Sequence, residues 1–178
     1  MVFSVRAIRL VATAAFASAL LVGSVHAETI NVGKWGFSVV FGCQSQPASQ
    51  SVATAAGNVT MTSYSCGTHD AGYFLAIADY PPGTINQKSI DVAYTGAING
   101  AAGTVKGKIR NVAPYVLGKI TGRDALIDLK RSHRTVHLRV FYVRDRQFQL
   151  TYIGPTGQEN SKACLDFLNS FALKKTGK

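Results

Sequence analysis

Two changes of apolar period divide this 178-residue chain, and they limit what it can fold into. Residues 34–41, 59–65 and 73–79 alternate or run continuously in apolar, aromatic and β-branched side chains, which is the pattern of strands. Residues 42–56 are small and polar, with Pro47 among them, and read as a loop. Over 87–101 the period lengthens. Ile90, Ala93, Tyr94, Ala97, Ile98 and Ala101 recur at helical spacing, and Gly103 ends the run.

Alternation returns at Val105. Lys106, Lys108 and Arg110 alternate with Val105, Gly107 and Ile109, so a strand here carries three bases on one face. Strands over 115–121 and 125–129 are expected to meet at Gly122-Arg123-Asp124. After a basic turn at 131–134, residues 135–143 alternate most clearly. Val136, Leu138, Val140 and Tyr142 share one face, and His137 lies on the other, less buried one. Arg144-Asp145-Arg146 turns the chain into a strand over 147–153. Thr156 and Glu159 have capping-box spacing, and Cys164, Phe167, Leu168 and Phe171 fall on one face of the helix that follows. Strands, helix, strands, helix predict an α+β fold: an antiparallel β-sheet flanked by two helices.

The first 27 residues read as a secretory signal peptide. Arg6 and Arg9 precede an apolar run over 10–22, and Val25-His26-Ala27 offers small residues at the positions a signal peptidase reads. The run is too short and Ala-rich for a membrane span, and no other run in 28–178 approaches that length. A single exported α+β domain is therefore expected over 28–178, in the periplasm or outside the cell. Disulfides persist there.

Cys43, Cys66 and Cys164 are the three cysteines, an odd number that allows one intramolecular bridge and one free thiol. Cys164 belongs to a helix's apolar stripe, where a free thiol packs as a small hydrophobe. That leaves Cys43 and Cys66 as the favoured pair. A conflict attends it. If the strands over 34–41 and 59–65 form a plain hairpin, the two sulfurs fall at opposite ends of the second strand, beyond bonding distance.

Charge is unevenly spread. Without residues 1–27 the chain holds 17 Lys and Arg against 9 Asp and Glu, and residues 101–178 alone hold fifteen bases and five acids. Such a field attracts anions over a Debye length of ~8–10 Å. Lys106, Lys108, Arg110, Arg131, Arg134, Arg139, Arg144 and Arg146 come from neighbouring strands and turns and are the anion-binding candidates. Anionic lipid, acidic polysaccharide or an envelope protein are the partners expected outside a cell, rather than nucleic acid.

Other constellations are weaker. Cys66, His69 and Asp70 place a thiol, an imidazole and a carboxylate within five residues, but one turn rarely aims three side chains at each other. His133 and His137 have metal-ligand spacing only on a helix; on a strand they stand ~13 Å apart, so no metal site is expected. The glycines around Lys34-Trp35 and over 99–103 fit no nucleotide fingerprint, and no cofactor is expected.

The motifs over 139–142 (RVFY), 146–150 (RQFQL) and 163–171 (ACLDFLNSF) resemble those of a family of uncharacterised exported bacterial proteins. So do a GFSVVF strand over 36–41 and a stretch in which Tyr73 is followed by Asp79, Tyr80 and Pro81. Gly42-Cys43 stands where that family usually has Pro-Gly. The resemblance implies a Mog1/PsbP-like fold and no catalytic residues. The expected function is that of an exported, non-enzymatic domain that binds a partner protein or an anionic envelope surface through its basic C-terminal half. A cysteine-dependent enzyme or redox protein using Cys66 and His69, and a structural or assembly role in the envelope, are the alternatives.

Overall fold

The computed structural model describes residues 27–32, 36–54 and 57–173. Residues 1–26 of the expected 1–27 signal peptide, Lys34, Trp35 and the lysines beyond 173 lie outside the described residues. In chain order the elements are β1 (Glu28–Val32), β2 (Phe37–Phe41), β3 (Gln46–Thr54), β4 (Gly57–Gly67), β5 (Gly72–Asp79), α1 (Ile90–Thr104), β6 (Lys108–Leu117), β7 (Ile120–Leu129), β8 (Arg134–Val143), β9 (Arg146–Pro155), α2 (Lys162–Asn169) and β10 (Ala172–Leu173). Seven strands form one antiparallel sheet in the order β3-β4-β5-β9-β8-β7-β6. β1, β2 and β10 form a second, three-stranded sheet. The class is α+β, antiparallel with two helices, as the period changes predict.

Each face of the large sheet has its own core. Val136, Leu138, Val140 and Tyr142 of β8, with Ala125 and Ile127 of β7, pack under Ala93, Tyr94, Ala97 and Ile98 of α1. The opposite face carries Tyr73, Leu75, Ile77, Phe141, Phe148, Leu150 and Tyr152, covered by Phe37, Val39 and Phe41 of β2 and by Cys164, Phe167 and Leu168 of α2. Phe171 closes this second core, with ring centroids 4.8 Å from Phe141, 5.1 Å from Phe148 and 5.5 Å from Phe37. β8 is thus buried on both faces, and His137 is only 7% exposed. Its expected place on a less buried face is wrong, because α2 and its approach loop cover that side.

Several boundaries shift. Residues 46–54, read as a loop, form β3, which is exposed along nearly its whole length and held by its ladder to β4. β6 and β7 are single ten-residue strands joined at Gly118-Lys119, so Gly122 lies inside β7 and not in a turn. The bases of β6 do not alternate regularly, since the register shifts between Ile109 and Asn111 and Lys106 precedes the strand with φ 51°. α2 starts at Lys162, capped by the Ser161 hydroxyl, which accepts from the Cys164 N–H at 3.4 Å. Thr156 and Glu159 make no capping box; the Glu159 carboxylate turns to Gly157 N–H and Arg110.

The strand order also resolves the cysteine conflict. β2 leaves for the small sheet, and β3 becomes the hairpin partner of β4. The register Gln46↔Ser65 returns residue 43 to the end of β4 where Cys66 stands. Cys43 and Cys66 are bridged, with Cα atoms 5.9 Å apart. Cys164 is free and buried.

Candidate functional site

The strand directions sort the eight basic candidates into three places. β6 begins, β7 ends and β8 begins at the same end of the large sheet. Lys106 and Lys108 are exposed there, next to the β7–β8 turn that carries exposed Lys130 and Arg131. Gly107 makes this approach close: a Cβ on it would meet Ile127 at 2.5 Å and Leu129 at 2.9 Å. Arg110 and Arg134 lie at this end too, but each has work inside the fold. Arg110 pairs with Asp128 at 3.3 Å and with the Glu159 carboxylate. Arg134 donates to the carbonyl of Asp70 in the β4–β5 turn. With Asp128 and Glu159 engaged by Arg110, the positive field of Lys106, Lys108, Lys130 and Arg131 faces solvent.

Arg144 and Arg146 lie at the other end of the sheet, a ten-residue strand away, roughly 30 Å and several Debye lengths. Arg144 is exposed in the β8–β9 turn with φ 55°. Arg146 pairs with Asp79 across the β5–β9 ladder. The turn's third member, Asp145, accepts from the backbone N–H groups of Gly83 and Ile85, each at 2.9 Å. These bonds hold its carboxyl below the usual range. Arg139 is 5% exposed and belongs to neither end. So the structure gathers Lys106, Lys108 and Arg131 and adds Lys130, which sequence reading left out although it adjoins Arg131. It separates them from Arg144 and Arg146.

Arg139 instead anchors a buried polar cluster between α2 and β6–β8. Its Nε and one terminal nitrogen donate to the two Asp124 oxygens at 2.9 and 3.1 Å. The other terminal nitrogen donates to the Leu168 carbonyl at 2.9 Å and the Asn169 side chain at 3.0 Å. The guanidinium lies 3.7 Å from the Tyr115 ring centroid. Burial pushes the Asp124 carboxyl up, but the bonds from His137 and Arg139 outweigh it and the net shift is downward. Beside it, His137 Nδ1 lies 2.7 Å from the Glu159 carbonyl and 3.5 Å from the Cys164 sulfur, and Nε2 lies 3.6 Å from Asp124.

Cys164, His137 and Asp124 therefore have the composition of a nucleophilic triad that spacing alone did not reveal, since 40 residues separate the first from the last. The geometry does not activate the thiol. A carbonyl only accepts, so His137 Nδ1 carries a proton and donates it to Glu159, leaving no lone pair for the sulfur. The thiol itself donates to the same carbonyl at 3.0 Å and is fully buried. Burial is the largest influence pushing it up to about 12, so it stays protonated at neutral pH. Cys66 and His69 are not assembled as a thiol nucleophile and its base. The Cys66 sulfur is in the bridge, while His69 is exposed and lies 2.7 Å from Asp70. Among the described residues no group of three His, Cys, Asp or Glu could hold a metal ion. No described helix is long and apolar enough to cross a membrane.

No family model and no curated protein matches the chain. A solved structure does: the solution structure of cyanobacterial PsbP (CyanoP) from Synechocystis sp. PCC 6803 is similar, with a TM-score of 0.55 at 11% identity, over 89% of this chain and 98% of that one. The architecture built above from strand order, two-faced burial and the α2 cover is a PsbP-like fold.

Proposed function

We propose that this protein is an exported, non-enzymatic docking domain that binds anionic surfaces through the sheet end bearing Lys106, Lys108, Lys130 and Arg131. The observation that carries the reading is the convergence of these four exposed cations while the carboxylates of Asp128 and Glu159 are engaged by Arg110. The shared field of these cations raises the encounter rate with a polyanion. A bridge between Cys43 and Cys66 suits an oxidising compartment. The sealed thiol of the Cys164 cluster supports a binding role over catalysis.

Retention on an immobilised sulfated polysaccharide, measured against salt, tests the reading. Replacing Lys106, Lys108, Lys130 and Arg131 together by Gln should weaken retention by at least about tenfold and flatten its salt dependence. Arg144→Gln, at the other end, should change it far less. Equal retention of the quadruple variant and the parent would reject this docking end.

A further inference from the structure

β6 is an open edge of the large sheet: among the described residues β7 pairs with it and no other strand does. Among the described residues, two of the four large hydrophobic side chains left exposed stand on it, Val112 at 43% and Val116 at 62%. Pro114, also exposed, lies between them. The register Val112↔Ala125 and Pro114↔Arg123 puts these positions on one face of the strand, opposite to Tyr115. Along the strand and its turns the charges have one sign, and the acids that border them from neighbouring elements, Asp128 and Asp91, are paired with Arg110 and Arg123. Residues 105–123 hold Lys106, Lys108, Arg110, Lys119 and Arg123 and no acid. Lys106 and Lys108 stand at one end of the edge and exposed Lys119 at the other, so ammonium groups roughly 30 Å apart lie beyond the two ends of the apolar strip, Lys108 on the other face of the strand.

A soluble polyanion would engage the lysines and leave the valines in water. A second copy of this chain would cover the valines. Antiparallel self-pairing, however, sets the Lys108 end of one β6 beside the Lys119 end of the other, and like charges opposite each other are destabilising. Pro114 adds to this, since an edge proline turns its hydrogen-free nitrogen toward solvent and gives an incoming strand no donor. An anionic bilayer satisfies both parts of the pattern. Apolar side chains enter the boundary between headgroups and acyl chains while cations stay with the phosphates.

We propose that the β6 edge docks on anionic phospholipid bilayers, seating Val112 and Val116 at the headgroup boundary with Lys106, Lys108 and Lys119 on lipid phosphates. This rests on the docking role above and names its target. The test is co-sedimentation of the whole chain with vesicles of phosphatidylcholine alone and of phosphatidylcholine and phosphatidylglycerol in equal parts. The polysaccharide column runs in parallel. The parent should sediment with the mixed vesicles and not with the neutral ones. Val112→Ser with Val116→Ser, both at exposed sites, should lower mixed-vesicle binding by about tenfold and leave polysaccharide retention unchanged. A serine variant that binds mixed vesicles like the parent overturns the bilayer edge and spares the docking role, as does a parent that binds the polysaccharide but no vesicle. A parent that binds neither overturns both. A concentration-dependent dimer that the serine substitutions dissolve assigns the valines to a second copy and also overturns the bilayer edge.

Discussion

A guanidinium shut away from water needs partners for its N–H groups, and Arg139 makes four hydrogen bonds that join β8 to Asp124 of β7 and to the Leu168 carbonyl and Asn169 side chain of α2. Removing it would leave Asp124 charged, partly buried and without its fork. Arg139→Ala should therefore cost about 3–5 kcal/mol in urea unfolding. Arg139→Lys should recover little of that loss, because an ammonium cannot grip both carboxylate oxygens and two acceptors on α2. The same cluster sets a pH dependence. Asp124 is held below its ordinary value, and so is Glu159, where burial raises the carboxyl but the bonds from its own backbone N–H, Arg110 and Gly157 lower it further. A depressed folded value means the stabilisation is complete above the ordinary carboxylate range and disappears as pH falls through the folded values. Urea midpoints should decline below about pH 4, and Arg139→Ala should flatten that decline by releasing Asp124.

At the scale of the element, β7 shows how closely neighbouring strands are fitted. A Cβ on Gly122 would stand 2.6 Å from the Val140 carbonyl oxygen and 3.0 Å from Phe141 Cβ, and backbone cannot swing aside as a side-chain tip can. Gly122→Ala should cost about 1–3 kcal/mol by thermal or urea unfolding, although glycine is ordinarily a poor strand residue. Gly122 also shows where the sequence could not be read. A glycine beside Arg-Asp has turn chemistry, and nothing local says that a neighbouring strand's carbonyl sits where its side chain would be. β8 and α2 were legible because their apolar residues recur at strand and helix periods. β3 was not, because a strand with both faces exposed has no reason to alternate, and only its ladder with β4 identifies it. Likewise Lys106, Lys108 and Arg131 were legible as bases, but their separation from Arg144 and Arg146 follows from strand direction. The Cys164–His137–Asp124 grouping was hidden for a related reason: α2 and β7 meet on one sheet face far apart in sequence.

Over the whole molecule, one covalent cross-link and two cores share the work. The Cys43–Cys66 bridge fastens the segment that follows the small sheet's β2 to the end of β4 in the large one. Thiol titration should find no reactive group in the native protein and one, Cys164, after denaturation without reductant. All three should react once the bridge is reduced. A native protein with two reactive thiols would contradict the bridge. The PsbP-like architecture leaves the surface free to vary, which is why the fold alone names no partner and the β6 edge and its lysines must be tested directly.

The pairings of β5 with β9 and of β2 with β10 set the order in which this structure can be completed. Asp79 meets Arg146 across 67 residues, and Ser38 meets Ala172 across most of the chain's length. A chain emerging from one end of a pore thus holds β1 to β5 with their inner faces uncovered until the final strands and α2 arrive. Closure that waits on distant partners is slow and resists early collapse into a finished fold. In the exported chain proposed above, such late closure delays the finished fold until almost the last residue has emerged.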